Sequence, residues 1–170
     1  MDYKNYIRDI PDFPTKGVNF KDITPLLKSA ESYNNVLKEF TQVALSFEPD
    51  VITAIDARGF FFGPSLALKL NKPFVPLRKA GKLPFRTIGC SYNLEYGDSV
   101  LEIHEDAIVS GQRVIIVDDV LASGGTMSAA VNLLKKCDAE IVSCFVVIEL
   151  TEFSARNKLD SINLLSLVKY

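Results

Sequence analysis

The chain has one histidine and three cysteines in 170 residues, and its charges nearly cancel. The histidine, His104, has Glu102 and Glu105 beside it, which is not a metal-ligand spacing, and the local alternation predicts a surface strand position for it. Cys90, Cys137 and Cys144 form no C-x-x-C, and their odd number does not frame a disulfide scaffold, so reduced thiols in a cytoplasmic protein are expected. Nineteen Lys plus Arg against twenty-one Asp plus Glu leave a net charge of −2. That balance argues against nucleic acid or a polybasic membrane patch as partner, so any basic site has to be local. No apolar stretch approaches the ~20 residues of a membrane helix. The opening "MDYKNYIRDIPDFP" has neither the charged nor the apolar region of a secretory leader. Repeats, low-complexity tracts and linkers are absent, which predicts one domain over 1–170. The nucleotide motifs G-x-x-x-x-G-K-[ST] and G-x-G-x-x-G are missing too.

What is present is an ordinary globular composition, 48% hydrophobic and 24% charged, at a length that removes roughly 70% of the unfolded surface from water. Pro11, Pro14 and Gly17 interrupt any period in 1–23. "TPLLK" reads as a short helix with Thr24 as N-cap and Pro25 at the first position. Tyr33, Val36, Leu37, Phe40, Val43 and Phe47 follow helical spacing. Apolar strands then alternate with helices: "VITAI" (51–55), the helix "FFFGPSLALKL", "FVPL" (74–77), "RVIIV" (113–117), a helix from Gly125 to Lys136, "IVSCFVVI" (141–148) and "INLLSLV" (162–168). Between them, 84–106 alternates as a β-hairpin with its turn at Gly97-Asp98. Continuous apolar strands separated by helices predict an α/β fold, a central, mostly parallel sheet flanked by helices. The hairpin and a small N-terminal cap of about thirty residues are excursions from it.

In such sheets ligands bind beyond the carboxyl ends of the strands. Three runs end in chemically active side chains there: "VITAI" in Asp56-Ala57-Arg58, "FVPL" in Arg78-Lys79, and "VIIV" in Asp118-Asp119. The last continues as "VIIVDDVLASGGT". Small residues from Ala122 through Ser123, Gly124 and Gly125 to Thr126 expose backbone N–H groups at a helix N-terminus, an anion nest suited to a phosphate monoester. The two aspartates would be repelled by that phosphate. They suit the neutral hydroxyls of an attached sugar, directly or through a metal ion. "LRKAGKLPFR" (77–86) places Arg78, Lys79, Lys82 and Arg86 together without an acid. By itself that is as readily a solvated loop, but with Arg58 it suggests a second anion site. A phosphate at one end, a sugar between and a diphosphate at the other would use every group.

"VIIVDDVLASGGT" resembles the phosphoribosyl-diphosphate (PRPP) signature of the type I phosphoribosyltransferases. "DARGFFFGPSLA", "RKAGKLP", "YNLEYG" followed by "LEIHEDA", and "FPTKGVNFKDITPLL" resemble, in the same order, the members of that family that use adenine. The similarity runs from about residue 6 to the C-terminus. It implies transfer of ribose 5-phosphate from PRPP to adenine, giving AMP and diphosphate in purine salvage. It also implies Mg²⁺ held mainly by PRPP oxygens and water, as suits a hard ion, and a homodimer.

The resemblance further implies a role for each matching position. Residues 122–126 would hold the 5-phosphate, and Asp118 and Asp119 the ribose hydroxyls. Arg58 would meet the diphosphate together with a cis peptide joining Ala57 to it. Lys79 and Lys82 would be further diphosphate ligands, with Arg78 there or reaching a neighbouring subunit. The N-terminal segment would be a hood over the base. Phe20 would stack on one face of adenine and Val120 or Leu121 on the other, with the backbone of Asn19 and Lys21 reading the amino edge. Glu95 would be the acid–base group, on a flexible hairpin loop that Tyr96 helps to close. Periodicity alone would leave Glu95 on a solvated face and Phe20 in a core. Lys21, Ala57 and Ser123 depart from the family pattern, and none removes a group the chemistry needs. The other readings are a 6-oxopurine enzyme, xanthine first, and a non-catalytic PRPP-binding regulator.

Overall fold

The computed structural model describes residues 1–94, 97–159 and 162–170. The strands are β1 (Arg8–Ile10), β2 (Phe20–Asp22), β3 (Val51–Ile55), β4 (Phe74–Lys79), β5 (Thr87–Leu94), β6 (Gly97–His104), β7 (Arg113–Leu121), β8 (Glu140–Glu149) and β9 (Leu164–Lys169). The α-helices are α1 (Thr24–Lys28), α2 (Ala30–Leu45), α3 (Gly63–Leu70) and α4 (Gly125–Lys136). Seven strands form one sheet in the order β5-β6-β4-β3-β7-β8-β9. From β4 to β9 neighbours run parallel, while β6 joins β4 antiparallel and carries β5 as a hairpin.

Every residue of β3 is buried, as a strand covered on both faces requires. Val36, Leu37 and Phe40 of α2 and Leu66 of α3 pack with Ile52 and Phe145 on one face of the sheet. On the other, Met127 and Leu134 of α4 pack with Leu77, Leu101 and Ile116. At roughly 1.5–3 kcal/mol for each large side chain buried, these two layers hold the sheet between them. β4 lies to one side of β3 and β7 to the other, so the strand order reverses between β3 and β7. Their carboxyl ends therefore open a common crevice.

Local structure departs from the sequence-based expectation at several points. β7 does not stop at Val117. β8 runs on to Glu149 and supplies ladder partners for Asp118 (Val146) and Val120 (Ile148), so both aspartates stand on the strand. Gly97 and Asp98 are not a turn but the start of β6, with Gly97 opposite Leu94; the hairpin register pairs Ile88 with Ile103 and Cys90 with Leu101. The 1–23 segment is not irregular throughout, since Ile10 of β1 pairs with Phe20 of β2. The N-cap position of α1 is Ile23, and the Asp22 carboxylate before it accepts from the Thr24 N–H at 2.9 Å and its hydroxyl at 2.7 Å. Thr24 is thereby drawn into the helix, whose cap was expected to be Thr24 itself. The helix expected from Phe60 begins as a 3₁₀ turn, Arg58–Phe61. His104 is half-buried rather than at the surface, with the Phe85 ring edge-on at 6.0 Å.

Candidate active site

The crevice is floored by the ends of β3 and β7. After Ile55 the chain turns through a cis peptide between Asp56 and Ala57. The sequence resemblance placed that bond one residue later, before Arg58; it falls earlier because β3 ends at Ile55 and the turn begins there. The 3₁₀ turn then brings Arg58 against β7. This approach requires Gly59, where a Cβ would meet the Val117 carbonyl oxygen at 2.6 Å and the Asp118 Cα at 3.3 Å. Arg58 Nε lies 2.9 Å from Asp119 Oδ2, an ion pair without hydrogen-bond alignment. Asp119 is 2% exposed, whereas Asp118 is half-buried and accepts the Asp119 N–H at 2.9 Å.

Burial and then the charge of Asp119 push the Asp118 carboxyl well above the usual range. Burial raises Asp119 too, with Arg58 opposing it. Asp118, Asp119, Arg58, Asp56, Lys79, Tyr92 and Thr126 line one cavity of about 300 Å³, polar at its base and cationic at its rim. A carboxylate that accepts hydroxyl protons is favoured in its charged form, so a polyol bound here expels a proton from the pair. Binding of a phosphosugar there is therefore expected to release protons at pH values near the raised Asp118 pKa, and its affinity to fall as pH drops through that value. Calorimetry in buffers of different ionisation enthalpy measures the release. Asp118→Asn should abolish it; the same release from that variant would remove Asp118 from the role.

The loop 122–126 joins β7 to α4. Gly124 is at φ +80°, a conformation glycine adopts without steric cost. Among the described residues, the N–H groups of Ser123 and Gly124 find no acceptor in the protein. They stand at the N-terminus of a twelve-residue helix, where backbone dipoles favour an anion.

Ala122 and Ser123 also line a second cavity of about 380 Å³, closed from above by the hood residues Val18, Asn19, Phe20 and Lys21. Val120 lines it from the strand, and Leu150 and Phe153 complete the wall. Leu121 does not: β-strand alternation turns it into the core, where it is 1% exposed. Of the two candidates for the second stacking face, Val120 alone remains. Arg58 lines both cavities, and its guanidinium carbon is 5.2 Å from the Phe20 ring centroid. Lys21 directs its ammonium away from the cavity, to Asp9 and over the Tyr170 ring at 4.0 Å.

The basic cluster is only partly assembled. Lys79 lines the polar cavity. Arg78 does not; it pairs with Asp56 at 2.8 Å, because β3 and β4 are neighbours and bring the two strand ends together. Lys82 is exposed on the turn beyond β4 and lines neither of these cavities. Glu95 and Tyr96 lie outside the described residues. Val18, Tyr92, Leu150 and Phe153 were missed in sequence as lining residues, whereas Asp56 was named there as a strand-end group without a role. The strand-end rule applied to "IVSCFVVI" points at Glu149-Leu150, but no local pattern marks Phe153.

Among the described residues no group of three or more His, Cys, Asp or Glu is placed to hold a metal ion, and no helix is long and apolar enough to cross a membrane.

A mostly parallel sheet with an anion loop, an acidic pair and an arginine at its reversal point defines a transferase of phosphorylated sugars. Residues 27–161 match the phosphoribosyl transferase domain, and the chain belongs to that family. Its relatives include the adenine phosphoribosyltransferase of Halothermothrix orenii, 49% identical over 99% of both chains. The crystal structure of adenine phosphoribosyltransferase from Thermoanaerobacter pseudethanolicus superposes with a TM-score of 0.96 at 47% identity, covering 99% of this chain and 98% of that one. The Saccharomyces cerevisiae adenine phosphoribosyltransferase, crystallised with an imino-altritol bisphosphate and adenine, gives 0.94 at 36% identity, with 98% and 97% covered.

Proposed function

We propose that this chain, acting as a single domain, transfers ribose 5-phosphate from PRPP to adenine, forming AMP and diphosphate. The observation that carries the proposal is the continuity of two cavities through Arg58. One is polar and bounded by Asp118, Asp119 and Lys79; the other is largely apolar and bounded by Phe20 and Val120. A phosphosugar fits the first and a flat heterocycle the second, with the sugar's reacting carbon at their junction.

Each group then has a role set by its chemistry. Ser123, Gly124 and Thr126 bind the 5-phosphate, and Asp118 and Asp119 accept the ribose hydroxyls. Arg58 and Lys79 draw negative charge onto the leaving diphosphate. The bond from C1′ to the diphosphate oxygen breaks with its electron pair going to diphosphate, while adenine N9 forms the new bond and gives up its proton, which Glu95 accepts. Preorganised charge at the leaving group and beneath the ribosyl cation is the main source of acceleration, and hairpin closure with Tyr96 excludes water. Mg²⁺ would be held mainly by PRPP oxygens and water, as suits a hard ion, and when bound it would neutralise diphosphate charge.

Arg78 is committed to Asp56 within its own chain, so a neighbouring subunit is not needed to place it. A homodimer is in keeping with the exposed apolar side chains Phe61, on the turn that carries Arg58, and Leu68 on α3. The three cysteines are unpaired, and burial pushes the Cys144 thiol up to about 12; unpaired thiols suit the reducing cytoplasm.

The test is incubation with PRPP, Mg²⁺ and one base at a time. Nucleotide from adenine alone is the expected result. Product from xanthine or another 6-oxopurine would overturn the base assignment, and PRPP binding without any product would support a regulator.

A further inference from the structure

We propose that Lys158 is a positioning residue for the phosphate loop, holding one peptide of that loop so that its N–H faces the 5-phosphate. The inference rests on the reading of residues 122–126 as the 5-phosphate site.

Lys158 Nζ donates to the Ser123 carbonyl oxygen at 2.7 Å. In a trans peptide the C=O and the following N–H point in opposite directions. Fixing the Ser123 oxygen toward Lys158 therefore turns the Gly124 N–H away from it, unpaired, to the side where an anion can be received. The segment bearing Lys158 is pressed against the same loop. A Cβ on Gly124 would come within 3.0 Å of the Ala155 Cβ and 3.3 Å of its carbonyl oxygen, and Ala155 is buried.

That segment is itself clamped. Arg156 donates both to Glu149 Oε1 at 2.6 Å and to Oε2 at 2.7 Å, a two-pronged pair of the strong kind. Glu149, with its side chain 5% exposed, also accepts the Ser166 hydroxyl at 2.5 Å, and Lys169 approaches to 4.0 Å. Arg156 further donates to the Leu164 carbonyl at 3.3 Å. The clamp ties the short 3₁₀ helix Ala155–Lys158 to the ends of β8 and β9. The residue after Glu149 is Leu150, a wall of the base cavity. One carboxylate thus anchors both the support of the phosphate loop and a boundary of the base site.

The distinguishing measurement is binding of two half-ligands, ribose 5-phosphate and Mg²⁺-diphosphate, by calorimetry, together with the KM of each substrate. Lys158→Met is expected to weaken ribose 5-phosphate and raise the PRPP KM by about five- to twentyfold, as loss of a charged but solvent-exposed hydrogen bond implies. Diphosphate affinity and the adenine KM should stay within about twofold, as for sites that do not share the contact. Lys158→Arg, which keeps the donor, should recover most of the loss. Unchanged ribose 5-phosphate binding in Lys158→Met would overturn the proposal, as would equal losses for all ligands, which mark general loosening. If the wild-type chain made AMP yet bound no ribose 5-phosphate, the loop assignment would fail and the proposal with it, while the reaction would stand.

Discussion

Glu95→Ala is expected to lower kcat by about 10²–10⁴-fold, the range for loss of a positioned acid–base group, with the KM of PRPP nearly unchanged. The PRPP-binding groups assigned above lie on the 3₁₀ turn after β3, on β4, on β7 and in residues 122–126, whereas Glu95 belongs to the hairpin. The described part of that hairpin already reaches the crevice. Tyr92 of β5 lines the polar cavity beside Asp118, and β6 pairs with β4 at Lys79. Glu95 follows Tyr92 by three residues, roughly 10 Å of extended chain. Two further readouts follow. The acidic limb of the kcat profile, which reports the group that must be deprotonated to accept the N9 proton, should disappear in Glu95→Ala. Glu95→Asp should retain that limb at reduced rate. A steady-state loss below about threefold would remove Glu95 from the mechanism.

Arg58→Met is expected to cost about 10²–10³-fold in kcat/KM for PRPP, as removal of one preorganised charge from a developing anion does. Two consequences separate this from general damage. Without the guanidinium, Asp119 is left buried with no cation beside it, and burial, which already raises its pKa, is then unopposed. The affinity for PRPP should therefore fall off at higher pH than in the wild type. The guanidinium also covers the Phe20 ring, where it gains cation–π attraction of about 0.5–1 kcal/mol. A base that stacks on Phe20 has to displace it. Adenine binding should accordingly be unweakened or slightly tighter in Arg58→Met while PRPP turnover collapses. Parallel losses for both substrates would contradict this dual position.

Much of this protein was legible before its structure. β3 and α4 match their expected bounds, Val51–Ile55 and Gly125–Lys136, because an unbroken apolar run and a helical stripe starting after paired glycines are local signals. The small-residue turn between β7 and α4 was legible for the same reason: it is marked by small side chains in consecutive positions. Where sequence reading slipped, the deciding partner was distant. β7 outruns Val117 because β8 is long enough to pair with it. Leu121 is excluded from the second cavity by strand alternation once β7 is known to continue; the Thr24 slip alone is local, its N–H going to Asp22 two residues away.

By itself, the sequence determined the α/β class, the small-residue turn after the paired carboxylates and, by resemblance, the family. Each depends on residue type and spacing along one stretch of chain. Only the tertiary structure decided which charges meet. It joined Arg58 to both Asp119 and Phe20, turned Arg78 onto Asp56, set Lys158 against Ser123, and brought Leu150 and Phe153 around to the cavity lined by Phe20. The charged pairings span up to sixty-one residues, Arg58 with Asp119, and the second cavity joins Val18 to Phe153; contact depends on distance in space. That distance is set by the strand order, which no single segment encodes.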